Sequence, residues 1–417
     1  MMHLDFYRLY IDPGTGSMLF SILLGIAATL YFLARALLIK AKVIFSGGGV
    51  AVKSAVAQPY VIYSEGKHYW NVFKPVLDEF EKRQQEITFL TSSEDDPVFE
   101  QHYRLVKPEF IGEGNKAFAR LNFLSADVVL MTTPGLQVYQ LKRSQSVNHY
   151  AHVLHAPGDA TLYRMFGIDY FDSVLLTGDY QAKDIRALEQ LRGLPEKQLI
   201  TVGCTYLDEY AETLRHLPKE AAHPFTVLVS PSWGPSALLR KYGCTLLDPL
   251  VKTGWRIIIR PHPQSKISET SMLESLRETY KHASHVLWDY ERENIYSLAK
   301  ADMMISDFSG IIFDYMFLFD KPVMYVKQGL DLRPYDADDL GDKAADALWQ
   351  FKTLHEAGIE LQEAWFDSIG EVIKNASDSR ALKTARDKAK STAWQFQGEA
   401  GKRIADFMMD HTREHKH

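Results

Sequence analysis

Short apolar runs alternate with longer amphipathic stretches from residue 58 onwards. Tyr60–Tyr63 and Ile87–Leu90 have the length of buried strands, and His68–Arg83 between them has apolar residues at helical spacing. Further strand candidates in this part of the chain are Asp127–Met131, His149–Leu154, Ser173–Thr177 and Leu199–Gly203. Strands that alternate with helices in this way predict βαβ units and a parallel sheet.

The rhythm breaks at residues 217–224, which contain two prolines and lose periodicity, and it then resumes. Predicted strands of the second half are Thr226–Ser230, Trp255–Ile259, His285–Trp288, Met303–Ser306 and Val323–Val326. Predicted helices are Ser236–Lys252, Glu274–Lys281, Asn294–Ala301 and Ile311–Phe319. Residues 336–417 are charged and mostly helical in pattern, so we expect them to pack back across both halves.

These patterns predict an α/β fold with two Rossmann-like, doubly wound domains, an N-terminal transmembrane helix and a helical C-terminal tail. A chain of 417 residues is too long for one ordinary core. We place the membrane anchor and linker at 1–57, the first Rossmann-like domain at 58–220, the second at 221–335 and the helical segment at 336–417. The cleft between the two domains is the expected active site.

The apolar run at residues 18–39 contains a single charge, Arg35, and is long enough to cross a bilayer. Three lysines follow within residues 40–53, whereas only Arg8 precedes the run. The positive-inside rule then places everything after residue 40 in the cytoplasm, on a single-pass protein of the inner or cytoplasmic membrane. The alternative is a cleaved signal peptide with its site at residues 55–57, but that site lies far beyond the apolar run.

Composition excludes some classes of function. Lysine and arginine number 47 against 53 aspartates and glutamates, so a net charge of −6 gives no general reason to bind nucleic acid. Cys204 and Cys244 lack the paired spacing of a disulfide framework or a zinc cluster, and a reducing compartment is the simpler interpretation.

A hydroxyl-rich turn follows the predicted strand that ends at Ser306. Gly310 leaves room for an anion at the start of the next helix, and Ser306 and Ser309 offer hydroxyl groups, so we predict that the turn binds phosphate. Asp307 is expected to cap a helix or orient the loop, and Asp314 is one turn further on, where a ribose would lie. The alternative is a structural helix cap with an incidental glycine.

Two further loops follow strands of the second half. His262 lies between two prolines that stiffen the loop. The Arg260 side chain, two residues earlier, is suited to bind a phosphate. The alternative is that Arg260 forms a structural ion pair with a carboxylate. The loop 231–236 offers Ser232, Gly234 and an aromatic face. Together these loops predict a rim that binds an anionic ligand at the carboxyl edge of a sheet.

In the first half, His155 directly follows an apolar strand and precedes a Pro-Gly turn. An acceptor hydroxyl must lose its proton as it attacks phosphorus, and a histidine is suited to take it near neutral pH. We therefore predict His155 as general base. The alternative is that His155, like His149 and His152, is merely a strand or turn residue.

The ordered set of a strand-end histidine, Arg-Pro-His-Pro at 260–263, Ser-Asp-Phe-Ser-Gly-Ile-Ile-Phe-Asp-Tyr at 306–315 and Lys-Pro-Val at 321–323 resembles the CDP-glycerol glycerophosphotransferase family of teichoic-acid-type polymer synthesis. The resemblance covers roughly residues 150–325. It implies a glycosyltransferase-B fold and transfer of glycerol phosphate from CDP-glycerol to a hydroxyl of a membrane-linked acceptor, with release of CMP. It also implies that His155 is the base, that His262 and the hydroxyls of 306–309 bind the pyrophosphate, and that Asp314 lies near the ribose.

Two departures from the family bear on the acceptor. Polymerase-type members usually have Trp-His-Gly at the first histidine, whereas Leu-His-Ala stands at 154–156 here. Members also commonly reach the membrane through surface helices, whereas a spanning helix is predicted here.

We expect direct in-line displacement with no covalent intermediate, no cofactor and no metal. The partners expected are CDP-glycerol or a related nucleotide donor, a lipid-linked or glycan acceptor, and the membrane. Two alternatives remain open: a sugar-nucleotide-dependent glycosyltransferase or epimerase of the same fold, and a non-catalytic membrane protein that binds a nucleotide or anion.

Overall fold

The computed structural model describes residues 29–31, 57–218, 223–291, 293–307, 310–327, 330–341 and 347–414. The chain forms two compact units, Met1–Ala57 and Gln58–His417. Within the described ranges, no helix has both the length and the apolar character needed to cross a bilayer. Apart from residues 29–31, the predicted membrane segment 18–39 lies outside those ranges.

Two parallel sheets organise residues 58–414. The strands of the first sheet are β1 (Gln58–Ser64), β2 (Ile87–Thr91), β3 (Val106–Phe110), β4 (Ser125–Met131), β5 (Ser146–Val153), β6 (Ser173–Leu176) and β7 (Gln198–Thr201). Those of the second are β8 (Thr226–Ser230), β9 (Arg256–Ile259), β10 (Val286–Trp288), β11 (Met303–Ser306), β12 (Val323–Tyr325) and β13 (Ile359–Glu360). The predicted α/β architecture of parallel strands is thus confirmed.

Helices connect the strands and cover the sheets. In the first half they are α1 (Trp70–Lys82), α2 (Asn115–Leu121), α3 (Ala182–Arg192) and α4 (Thr205–His216). In the second half they are α5 (Leu238–Lys252), α6 (Ser265–Ser268), α7 (Thr270–Thr279), α8 (Ile295–Lys300) and α9 (Ile311–Phe319). The C-terminal segment adds α10 (Trp349–Ala357), α11 (Ile369–Ser377), α12 (Arg380–Ala393) and α13 (Ala400–Glu414).

The strand order puts a topological switch point in the middle of each sheet. The first sheet runs β3-β2-β1-β4-β5-β6-β7 and the second runs β10-β9-β8-β11-β12-β13. In both sheets the chain winds outwards in one direction and then in the other from the central pair, β1 and β4 or β8 and β11. Loops that leave this pair at its carboxyl end diverge and open a crevice, which is where open α/β sheets bind ligands.

Burial follows from the spacing of apolar residues. Helix α1 buries Val72, Phe73, Val76, Leu77 and Phe80 against the first sheet, because residues three or four apart share one helix face. Strands β1, β4, β8 and β11 are almost wholly buried, as expected for parallel strands covered on both faces.

The C-terminal segment contributes to the cores of both sheets. Ile404 and Met408 of α13 pack in the cluster that covers the first sheet. Ile369 and Ile373 of α11 pack in a cluster of the second sheet, and strand β13 extends that sheet at its edge beside β12. The domain boundaries proposed at residues 220 and 335 stay predictions.

Candidate active site

His155 lies at the carboxyl end of the first sheet, two residues beyond β5. Its Nδ1 atom is 3.0 Å from the hydroxyl oxygen of Thr132, which directly follows β4, and 3.5 Å from the hydroxyl oxygen of Tyr163. The same Tyr163 hydroxyl lies 3.1 Å from Nε2 of His152. The candidate base is therefore held through one ring nitrogen by groups from two other segments.

An aromatic side chain from the other side of the switch point lies against this imidazole. Tyr69, in the turn that follows β1, meets the ring of His155 edge to face, with centroids 5.3 Å apart. Burial lowers the pKa of His155 to about 4, and the nearby His68 contributes to the shift. The imidazole is consequently neutral near pH 7, which is the form that can accept a proton.

Residues of the C-terminal segment hold the loop that carries His155. The Asp159 carboxylate accepts hydrogen bonds from the backbone amides of Trp349 and Gln350, at 2.8 and 2.9 Å, and so caps helix α10. The hydroxyl of Tyr180 donates to the carbonyl of Gly158 at 2.7 Å. A cavity of about 180 Å³ is lined by this loop.

Asp307 organises the switch point of the second sheet. Its carboxylate is buried and accepts one hydrogen bond from the amide of Ser232 at 2.7 Å and another from the amide of Leu238 at 2.8 Å. It therefore ties the end of β11 to the loop after β8 and to the first turn of α5. The sequence predicts for Asp307 a cap on the helix that follows it or an orienting role in its own loop, whereas the observed contacts are with the loop after β8 and with α5.

His262 lies on the neighbouring strand-end loop, after β9. Its Nδ1 atom accepts a hydrogen bond from the amide of Gln264 at 3.1 Å, so the neutral ring carries its proton on Nε2. Burial lowers the pKa of His262, and the carboxylates of Asp307 and Glu269 partly offset this shift. Trp233 is half exposed and its ring centroid is 6.4 Å from that of His262. An N–H donor and an aromatic surface therefore lie together at this rim.

Two predicted phosphate ligands are engaged in structural contacts. The Arg260 guanidinium pairs with the Asp289 carboxylate at 2.5 Å and donates to the carbonyl of Glu291 at 2.8 Å. The Ser306 hydroxyl is fully buried and donates to the carbonyl of Ser230. The structure thus shows for Arg260 the ion pair with a carboxylate that we weighed as the alternative, and its phosphate contact stays a prediction.

The turn before α9 is described only in part. Gly310 is exposed at the start of the helix, and open space surrounds the position that a Cβ atom would take. Gly234, on the loop after β8, has φ +99°, a conformation that favours glycine, and it likewise faces open space. Ser309 lies outside the described residues, so its predicted phosphate contact stays a prediction.

Asp314 contacts the first half of the chain. Its carboxylate accepts a hydrogen bond of 3.0 Å from the hydroxyl of Tyr206, at the start of α4. Burial raises the pKa of Asp314 to about 7, and the bond from Tyr206 opposes that shift. The ribose contact predicted for Asp314 stays a prediction. The structure shows the hydrogen bond from Tyr206 to its carboxylate.

Sequence reasoning missed most of the partners in these contacts, among them Thr132, Tyr163 and Tyr206. Thr132 was the most accessible to prediction, because it directly follows a buried strand as His155 does. Nothing in the sequence pairs Tyr163 or Tyr206 with its partner. Among the described residues, no group of three or more His, Cys, Asp or Glu side chains has an arrangement suited to a metal ion.

Residues 246–343 match the sequence model of the family described as CDP-Glycerol:Poly(glycerophosphate) glycerophosphotransferase. The predicted resemblance is confirmed. So is the interpretation of the chain as a glycerophosphotransferase-like enzyme. The matched segment includes the loops of His262 and Asp307 and helix α9, whereas His155 lies outside it. No curated protein sequence matches the chain significantly.

Solved structures support the fold. The wall teichoic acid polymerase TagF has a TM-score of 0.57 at 14% identity, with 94% of this chain and 98% of that chain covered. UDP-GlcNAc 2-epimerase from Methanocaldococcus jannaschii has a TM-score of 0.54 at 13% identity and covers 84% of this chain and 99% of its own. The enzyme from Neisseria meningitidis bound to UDP-GlcNAc has a TM-score of 0.52 at 12% identity, with 84% and 99% covered. These likenesses show a glycosyltransferase-B-like fold.

Proposed function

We propose that this enzyme moves glycerol phosphate, or a related polyol phosphate, from a CDP-activated donor to a hydroxyl of a lipid-linked or cell-surface glycan acceptor, and that CMP is released. One observation carries the proposal. The family match covers the two loops that bear His262 and Asp307, which follow β9 and β11 on either side of β8 at one sheet edge. A nucleotide donor bound at that edge would place its pyrophosphate against these loops.

The proposed reaction is an in-line displacement at the β-phosphorus. Nε2 of His155 takes the proton of the acceptor hydroxyl as its oxygen forms the new bond to phosphorus. The bond from phosphorus to the bridging oxygen breaks, and CMP leaves with the electron pair. Negative charge that develops on CMP would be stabilised by the Nε2–H of His262 and by the amides at the start of α9.

Arg260 has a supporting role in this proposal. Its pair with Asp289 anchors the base of the loop, so the guanidinium would hold His262 in place without touching the donor. Ser232 and Gly234 would form the rim on the other side, where Asp307 fixes the Ser232 amide. The exposed ring of Trp233 is available to stack on the cytosine base.

We further propose that residues 18–39 anchor the enzyme to the cytoplasmic membrane, with residues 58–417 on the cytoplasmic side. The support is the apolar length of the segment and the lysines that follow it. Fractionation of cells that express the full chain, or a chain that begins at residue 58, tests the anchor. Recovery of the full chain from the soluble fraction would contradict it.

The product of the reaction tests the proposed chemistry. Membranes that contain the protein should release CMP from CDP-glycerol or CDP-ribitol in the presence of the lipid-linked acceptor, and UDP-GlcNAc should give no product. His155→Ala should lower the rate by about 10²- to 10⁴-fold, the usual contribution of a general base. The exposed His102 provides the control, because His102→Ala should leave the rate unchanged.

A nucleoside diphosphate product would instead support sugar transfer, the alternative that the fold shared with UDP-GlcNAc epimerases allows. Full activity of His155→Ala would refute the assignment of the base.

A further inference from the structure

A hydrogen-bonded chain of side chains leads from His155 into the protein interior. Nδ1 of His155 lies 3.0 Å from the Thr132 hydroxyl oxygen and 3.5 Å from the Tyr163 hydroxyl oxygen. The Tyr163 hydroxyl then lies 3.1 Å from Nε2 of His152. Thr132 and His152 are completely buried, so water does not compete for these contacts.

The direction of this chain decides which nitrogen of His155 carries the proton. In one direction Nδ1–H donates to Thr132, with the Tyr163 hydroxyl oxygen as a second and longer acceptor, and Tyr163 donates to His152. In the reverse direction Thr132 donates to Nδ1, and the neutral ring must then carry its proton on Nε2. Only the first direction leaves Nε2 with a lone pair that can accept a proton.

The protonated state of His155 favours the same direction. An imidazolium has an N–H on both ring nitrogens, so Nδ1–H must find an acceptor. Thr132 accepts it in the first direction, whereas in the reverse direction two hydrogens would face each other. In the first direction the same hydrogen bonds suit the neutral and the protonated ring, so no hydroxyl has to rotate when the proton is transferred.

His152 is suited to end the chain as an acceptor. Its Nδ1 atom has no hydrogen-bond partner among the described residues, and the Phe171 ring lies against the imidazole with centroids 4.9 Å apart. With its proton on Nδ1, the His152 ring has a lone pair on Nε2 that can accept from the Tyr163 hydroxyl. Burial lowers the pKa of His152 to about 3, so the imidazole stays neutral and keeps its Nε2 lone pair for Tyr163.

We propose that Thr132, Tyr163 and His152 are positioning residues that hold His155 in its Nδ1–H tautomer and so present Nε2 as the base. The proposal rests on the function proposed above, in which His155 is that base. One proton moves in the reaction, from the acceptor hydroxyl to Nε2. Nδ1 keeps its own hydrogen, and no proton travels along the chain.

Other groups around the ring are accounted for. His68 and Tyr69 approach from the turn after β1, and Tyr69 makes only the edge-to-face ring contact. Cys204 lies near the backbone carbonyl of His155, with its sulfur 3.9 Å from the oxygen. Among the described residues, none hydrogen-bonds to Nε2 of His155, so the contacts of Nδ1 with Thr132 and Tyr163 orient the ring.

Matched substitutions at two adjacent threonines test the proposal in the full-length protein. Thr132→Val removes the hydroxyl at constant shape and should lower kcat by about 10- to 100-fold, with the donor KM unchanged. Thr132→Ser keeps the hydroxyl and should restore most of the rate. Thr133→Val is the control, because the buried Thr133 hydroxyl has no hydrogen-bond partner among the described residues, and it should leave kcat unchanged.

The tautomer itself gives a readout that does not depend on activity. In ¹⁵N-histidine NMR spectra, the signals of His155 are those that disappear in His155→Gln. They should show Nδ1 protonated in the parent and in Thr132→Ser, and a mixture of tautomers in Thr132→Val. Tyr163→Phe removes the second hydroxyl near Nδ1 and its link to His152, which provides a second variant if Thr132→Val fails to fold.

The two proposals fail in different ways. If His155→Ala retains normal turnover, the base assignment of the proposed function is wrong, and the positioning role is lost with it. If His155→Ala abolishes turnover while Thr132→Val and Tyr163→Phe leave kcat and the tautomer unchanged, the hydrogen-bonded chain is refuted and the proposed function stands. A parent spectrum with the proton on Nε2 would also overturn the chain.

Discussion

The hydroxyl of Tyr206 donates a hydrogen bond of 3.0 Å to the carboxylate of Asp314, and this bond joins the two halves of the chain. Tyr206 lies in the first turn of α4, after the last strand of the first sheet, and Asp314 lies in α9, which starts at Ile311. Two residues before Tyr206, the sulfur of Cys204 lies 3.9 Å from the carbonyl oxygen of His155. These two contacts, with the short segment 204–206 between them, connect the loop of the proposed base to the helix at the proposed donor site.

The buried Asp314 carboxyl should make stability depend on pH. Burial raises the pKa of Asp314 to about 7 in the folded state, so this group stabilises the fold fully at low pH and the contribution is lost as pH rises from about 4 to about 7. Asp314→Asn keeps an acceptor for Tyr206 and carries no charge. The free energy of unfolding of Asp314→Asn minus that of the parent should be larger at pH 8 than at pH 5, by about 2–3 kcal/mol.

Chemical denaturation at the two pH values measures this difference. Asp367→Asn alters an exposed carboxyl and should show no such change. An equal effect of Asp314→Asn at both pH values would contradict the raised pKa.

The rate should stay high in mildly acidic solution. Because burial lowers the pKa of His155 to about 4, its imidazole remains unprotonated as pH falls below the usual histidine range near 6.5. We expect kcat/KM to be flat from about pH 8 to about pH 5 and to fall only near pH 4. Circular dichroism at each pH separates loss of catalysis from unfolding. An acid limb centred near 6.5 would show that the base is a more exposed histidine.

Replacement of His262 by Asn or by Gln separates the contact of Nδ1 with the Gln264 amide from the proposed contact of Nε2 with phosphate. Asn places an acceptor near the position of Nδ1 and can keep the bond to the Gln264 amide, whereas Gln reaches the position of Nε2 and can donate to phosphate. We expect His262→Asn to fold normally and to lose about 10²- to 10³-fold in kcat, the usual cost of one donor to developing charge. His262→Gln should lose less.

Steady-state kinetics with varied donor distinguish the two variants, and the exposed His282, changed to Ala, is the control. Greater activity in His262→Asn than in His262→Gln would assign His262 a role in loop structure alone.

Removal of the Asp307 carboxylate should destabilise the second sheet. Asp307→Ala leaves the amides of Ser232 and Leu238 without their acceptor in a buried site, at a cost of about 2–4 kcal/mol in the free energy of unfolding. Asp307→Asn keeps one acceptor and should cost less. Chemical denaturation measures both variants, with Asp331→Ala at an exposed aspartate as the control. Unchanged stability of Asp307→Ala would show that the two amides find other partners.

The sequence alone was sufficient for several elements in which an apolar run is bounded by polar residues. Thr226–Ser230, Met303–Ser306 and Ile311–Phe319 were predicted with the bounds that the structure shows. Strand β3 (Val106–Phe110) was missed because it is an edge strand. Its middle residues, Lys107, Pro108 and Glu109, are exposed, and proline is tolerated there, so no apolar alternation marks the strand.

For the candidate site, local sequence determined which residues stand at strand ends, and therefore that His155 and His262 lie at carboxyl edges. Only the tertiary structure decided their partners. Thr132 meets His155 because β4 pairs with β5, and Asp307 meets Ser232 because β11 pairs with β8. Arg260 pairs with Asp289, 29 residues away. Such pairings depend on strand order and loop closure, which bring together residues that no local pattern in the sequence connects.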